Sequence, residues 1–128
     1  MSRARFLLLA ALCVAVACHP QRSGTVGSLG RVITREQIAE VDARSIYDVI
    51  VRLRAEFLND RGRTSIRTNA TSRAVVFLNE QEYGVLESMR DIPPDRVQEV
   101  RYFSGSDAVV RFGAQFGGGV IQLISRTE

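Results

Sequence analysis

This chain has no tryptophan, no lysine and a single histidine, His19. Its two cysteines, Cys13 and Cys18, both fall in the first eighteen residues. A lone histidine on a polar stretch cannot be held against a serine or cysteine with the precision a catalytic triad needs. A Cys/His zinc site lacks ligands for the same reason. With no cysteine beyond Cys18, the body of the protein has no internal disulfide. Long apolar runs are also missing: the opening one, Phe6–Ala17, has twelve residues, short of the roughly 20 needed to span a bilayer. Charge of one sign is absent too. The formal charge is +3 and the pI near 9.4, but the 17 basic residues, all arginine, are scattered among 14 acidic ones, as in Arg35-Glu36, Arg90-Asp91 and Asp95-Arg96. No single-sign stripe of the kind that tracks a phosphate backbone is present, so nucleic acid is not an expected partner. Arg61, Arg63 and Arg67 come closest to a basic patch, and they read as a solvated loop and strand edge.

What is there begins with Arg3 and Arg5 ahead of FLLLAALCVAVA. A basic start followed by a short apolar core is the layout of a secretory signal. Ala15-Val16-Ala17-Cys18 resembles a bacterial lipobox, in which small residues precede a cysteine that becomes the acylated N-terminus. The expectation is a signal peptide over residues 1–17, lipidation at Cys18, a tether over 18–30 and one domain over 31–128. Cleavage before Cys18 would leave a single thiol at the first position, where acylation accounts for it. Acyl chains then attach the protein to the membrane, each buried methylene contributing about 0.8 kcal/mol. The stretch HPQRSGTVGSLG, His19 to Gly30, is polar and rich in glycine and serine, as a flexible tether is.

In the remainder, Arg31–Thr34 reads as a short strand. Thr34 with Gln37 three residues on predicts a capping box and a helix over Arg35–Val41. Ser45 caps a second helix, whose apolar face is Ile46, Val49, Ile50, Leu53 and Phe57. Thr64–Thr68 reads as a strand, Ala74–Leu78 as a buried strand returning at Glu82-Tyr83, and Val85–Arg90 as a short helix. Val100–Phe103 is a strand, Ser104 to Asp107 a break with Ser106 as cap, Ala108–Phe112 a helical run stopped by Gly113, and Val120–Ser125 a final strand apolar on both faces. The order predicts an α+β (mixed α/β) domain, a mixed sheet flanked by short helices.

The closing half of this pattern resembles the plug domain of TonB-dependent outer-membrane receptors. There a segment such as IPPEDIERIEVLRGP leads to ALYGSGAIGGVINIITK. Here Ile92-Pro93-Pro94-Asp95-Arg96-Val97, Gly105, Phe112-Gly113 and Gly118-Gly119-Val120-Ile121-Gln122-Leu123-Ile124-Ser125-Arg126 match. Ser45–Ile50 is similar to the plug's SVADLL helix, Ile66-Arg67 to its IRG strand and Val75–Asn79 to its VLVLVDG strand, so the likeness runs from about Val32 to Arg126. It departs at Thr68, Asn79-Glu80 and Ser104, and one extra residue lies between Gly105 and Gly113. A receptor barrel closes about 22 strands, or roughly 200 residues at 9–11 per strand, so these 128 residues hold no such pore.

The resemblance implies a plug-like domain without its barrel: a non-enzymatic binding module at the periplasmic face of the outer membrane, accessory to uptake. Its partner would be an outer-membrane barrel or another envelope protein. His19, rather than aspartate, after Cys18 fits outer-membrane sorting. The alternative is an accessory domain that docks on a secretion or other envelope assembly without a role in transport. Thr25-Val26, between Gly24 and Gly27, is too poor an energy-coupling box for contact with TonB to be expected. No catalytic residue, metal or cofactor is expected. Most of Asp42, Asp48, Glu80, Glu82, Asp91, Asp95 and Asp107 sit at helix starts or turns, where capping explains them. Gly117-Gly118-Gly119 precedes a strand, whereas a phosphate cradle opens a helix.

Overall fold

The computed structural model describes residues 30–60 and 72–127. Strand β1, Val32–Ile33, runs into helix α1, Arg35–Glu40. The Thr34 hydroxyl accepts from the Gln37 amide and the Gln37 side chain accepts from the Thr34 amide, so the expected capping box forms. The helix buries Ile38. Arg35 donates to the carbonyls of Pro94 (2.7 Å) and Val97 (3.3 Å), tying α1 to a distant turn.

Helix α2, Ile46–Leu53, starts on Ser45, whose hydroxyl accepts from the Asp48 amide at 3.2 Å. Ile46, Val49 and Ile50 form its buried face. The spacing predicts that this face continues to Phe57 in one helix, and it does not. Arg54 leaves helical backbone and Ala55–Leu58 forms a 3₁₀ turn. Arg54, Ala55 and Glu56 are good helix formers, so the break is tertiary in origin. The turn lays Phe57 flat against Tyr102, with ring centroids 4.6 Å apart and planes 11° apart. Phe57 ends 3% exposed. A stacked pair of this kind contributes about 0.5–1.5 kcal/mol beyond its burial.

The strand expected at Thr64–Thr68 and the Arg61, Arg63, Arg67 group lie outside the described residues. Beyond them β2, Val75–Leu78, and β3, Gln81–Gly84, form the expected hairpin through Asn79-Glu80. Asn79 takes a positive φ of 57°, which asparagine tolerates. Its side-chain oxygen accepts from the Ser125 amide (2.9 Å) and hydroxyl (3.1 Å), and its amide donates to the Leu123 carbonyl (2.6 Å). The short helix expected at Val85–Arg90 is a 3₁₀ segment, Leu86–Asp91, followed by a 3₁₀ turn, Pro94–Arg96.

Strand β4 spans Val97–Phe103, three residues longer at its start than the apolar run suggests. Helix α3 spans Gly105–Phe112, so the Ser-Gly-Ser-Asp stretch is its first turn and not a break. Ser104, not Ser106, is the cap: its carbonyl accepts from the Ala108 amide (2.7 Å), and its hydroxyl donates to the Asp107 carboxylate (2.7 Å). Gly113 ends the helix at φ 122°, and a 3₁₀ turn, Ala114–Phe116, leads to β5, Val120–Ser125.

These strands form one mixed sheet in the order β1-β4-β5-β2-β3, with β2 and β5 parallel and the other pairs antiparallel. The domain is α+β, a mixed sheet flanked by short helices, as expected. β5 is central, and its residues Val120 to Leu123 are buried on both faces. On one face Ile33, Val76, Val100, Ile121 and Leu123 meet Ile38, Ile46, Val49, Ile50 and Met89. On the other, Phe77 and Val120 meet Ala108 and Phe116, with Phe103 and Phe112 alongside.

The glycines have a packing role. A Cβ on Gly105 would lie 2.2 Å from the Gly117 carbonyl oxygen, so α3 begins against the backbone that leads into β5. Gly119 combines a φ of 103° with the Phe103 carbonyl 3.0 Å from where its Cβ would be.

Two stability tests follow from this packing. Ile50→Ala should cost about 2–5 kcal/mol in denaturant unfolding, and Leu53→Ala, at a half-buried position, distinctly less. Equal losses at both positions would contradict the burial described. Gly105→Ala should cost about 1–3 kcal/mol because backbone has to move. An unchanged unfolding midpoint would show that the Gly105–Gly117 approach is not close.

Candidate functional site

Cross-strand register sorts the side chains by face. Val32 opposes Arg101, Arg101 opposes Gln122, and Gln122 opposes Phe77. Directly opposed residues point to one face. Phe77 lies in the cluster under α3, so Val32, Arg101 and Gln122 belong to that second face. The neighbouring row on one side, Phe103, Val120 and Val75, is the one that packs with α3. The row on the other side, Glu99 and Ile124, lies beyond it.

Helix length explains the division. The eight residues of α3 make about 12 Å of helix, and the seven residues of β4 make about 23 Å of strand. The helix therefore covers only part of this face. The rest forms two adjoining open grooves of about 700 and 570 Å³. Arg101 and Arg111 line both. Arg31, Asp107 and Val110, the last 89% exposed, stand along the first, and Glu80 and Gln122 along the second.

The groups differ in how far they are satisfied. Arg31 is paired with Asp107, and Arg101 donates its Nε–H to Glu99. The Arg111 side chain has no hydrogen bond or ion pair among the described residues. Its guanidinium lies over the rings of Phe103 (5.1 Å) and Phe112 (5.7 Å), an attraction that leaves its N–H groups unused. Gln122 is 3% exposed; its amide nitrogen donates to the Asn79 carbonyl, while its side-chain oxygen is buried and accepts nothing among the described residues.

The carboxylates singled out in the sequence do not converge. Asp48 is in the first turn of α2, Glu80 on the hairpin turn, Glu82 on edge strand β3, and Asp91 and Asp95 at 3₁₀ segments. Asp42 is exposed, and its backbone carbonyl accepts from Arg52. Among the described residues no group of three or more His, Cys, Asp or Glu is placed to hold a metal ion. No described helix is long and apolar enough to cross a membrane. Cys18, His19 and Thr25-Val26 lie outside the described residues. Arg101, Arg111 and Gln122 were not anticipated as a group. The available signal was Gln122 itself, a polar residue inside the otherwise apolar run VIQLI.

Comparison with protein-family models, curated proteins and solved structures finds no match to this chain.

The groove's rim carries a pH-dependent contact. The Ser104 hydroxyl and then the Arg31 guanidinium hold the Asp107 carboxyl below its usual range. A carboxylate whose folded pKa is depressed adds stability that is fully present above its unfolded value and is lost as pH falls through the folded one. Melting curves from neutral pH down to about 2 should show a shallower acid-side decline for Asp107→Asn than for wild type. Parallel declines would show that this carboxylate adds nothing to acid sensitivity.

Proposed function

We propose that this chain is a non-enzymatic interaction module of the bacterial cell envelope. It is a lipoprotein anchored through Cys18 at the periplasmic face of the outer membrane, with a plug-like domain accessory to outer-membrane uptake. Its partner is an outer-membrane barrel or another envelope protein. The observation that carries this reading is where the plug-like segments fall. Ser45–Ile50 is a capped helix start, Val75–Asn79 is β2 with its turn, Pro93-Pro94 leads into β4, and Gly118–Arg126 contains β5. The strands among them are hydrogen-bonded neighbours, β4-β5-β2. Segments that are each weak as motifs thus lie in one sheet and a helix packed on it, with two apolar clusters, and that arrangement supports the reading of a plug-like domain with a core of its own. The half-open second face offers a partner a surface of mixed charge with an apolar rim at Val110.

Replacing the anchoring residue tests the reading. Cys18→Ser should move the protein from the detergent-extracted membrane fraction to the soluble periplasm, or leave it as an unprocessed precursor. A substituted protein that is processed and fractionates like wild type would overturn the lipoprotein assignment.

A further inference from the structure

Among the described residues, large apolar side chains stand exposed on α2 (Val51), at edge strand β3 (Tyr83 and Val85) and on α3, where Val109 and Val110 are adjacent. Scattered single exposures need no explanation. The pair on α3 does, because neither packing nor propensity accounts for it. The helix buries Ala108 and sets Phe112 against the second cluster, without either valine. Valine is also a poor choice for an exposed helix position, since its branched side chain loses rotamers there.

The chain enters the domain beside this pair. Gly30 leads to Arg31, whose guanidinium pairs with Asp107, and Asp107 lies one turn before Val110 on α3. Arg31 and Val110 line the same groove. Cys18 stands twelve positions before Gly30, and a glycine- and serine-rich chain of that length has an r.m.s. span of about 20 Å. A domain of this size has a radius of gyration of about 13 Å and is roughly 30 Å across. A lipid anchor at Cys18 therefore brings the surface around Gly30 to the bilayer readily. The β3 edge, on the opposite side of the sheet from β1, reaches the bilayer only when the tether is stretched well past that span.

We propose that α3 rests on the lipid surface that holds the Cys18 acyl chains, with Val109 and Val110 at the interface. Arg31 and Arg101 are each paired with a carboxylate, and Arg111 is exposed beside them to meet a headgroup phosphate. Charge so nearly balanced suits zwitterionic headgroups and calls for no excess of anionic lipid. Two valines and one arginine make a weak contact alone. The anchor makes it effective, because a tethered surface binds as an intramolecular event. This inference rests on the lipoprotein reading and adds an orientation to it: the half-open face of the sheet turns toward the membrane in which a barrel partner lies.

The test uses full-length lipidated protein in phosphatidylcholine–phosphatidylethanolamine vesicles that contain a nitroxide-labelled lipid. Acylation consumes Cys18, so Val110→Cys or Val85→Cys supplies one thiol for a fluorophore. Quenching at position 110 should exceed that at position 85 by about threefold or more, because four strand spacings, roughly 19 Å, separate the two sheet edges. Adding Val109→Asp should bring position 110 down toward the level of position 85 at an unchanged melting temperature. Added phosphatidylglycerol should leave the pattern as it is. Equal quenching at both positions, in protein that floats with the vesicles, would overturn the orientation and leave the anchor standing. Protein that does not float overturns the lipoprotein reading and the orientation with it. A fluorophore at position 110 that shifts to the blue without being quenched would show that protein, not lipid, covers this face. Quenching that appears only with phosphatidylglycerol would overturn the zwitterionic assignment.

Discussion

The parallel pairing of Val75–Leu78 with Val120–Leu123 is the contact on which the domain depends. It joins the hairpin of the earlier half to the closing strand, and both apolar clusters are built across it. Ile121 and Leu123 look one way, toward α1 and α2, and Val120 looks the other, toward α3. Parallel strands need cover on both faces, and the short helices supply it. Asn79 fastens the far end of this pairing. Its backbone and side chain reach Leu123 and Ser125, while its carbonyl holds the Gln122 amide.

That same pairing places Gln122, the buried polar side chain of the central strand, at the edge of α3's cover. A longer α3 would bury Arg101 and its partner Glu99 under apolar surface, where desolvating the pair is costly. Gly113 stops the helix short of them. The uncovered part of the face is thus a product of helix length and sheet register together, and not of a separate loop or insertion. Two of its arginines are paired with near neighbours, Arg31 with Asp107 and Arg101 with Glu99, while Arg111 lies over two rings and forms no ion pair among the described residues.

Local rules made much of this legible from the sequence. The Thr34 and Ser45 caps, the Asn79-Glu80 turn and the Gly113 stop rest on interactions between residues close in the chain, and each formed; the doubly buried β5 was legible from its apolar run alone. The misreadings share a different origin. Phe57 follows Ile46, Val49, Ile50 and Leu53 at helical spacing, yet Tyr102, far along the chain, draws it into a separate turn. The Ser104–Asp107 stretch looks like a loop by composition, yet Gly105 is there to let α3 touch Gly117. The groove was hidden for the same reason. Arg101, Arg111 and Gln122 have no common spacing, and only the register of β4 on β5 and the length of α3 bring them to one surface.

The place of β5 also governs the time course of folding. It comes after the other described strands in chain order and yet lies between them in space. Before it docks, β4 and β2 have no common neighbour, and neither hydrophobic cluster can close. The α2 helix and the β2–β3 hairpin can form early from local contacts, but they then present Val76, Phe77 and Ile50 to solvent. Pairings between strands so distant in sequence make folding slow relative to helical bundles of the same size. During that interval open strand edges and bare apolar faces invite association with other chains. The final strand thus acts as the step that commits the chain, and whatever keeps the polypeptide apart from its neighbours must act until that strand is in place.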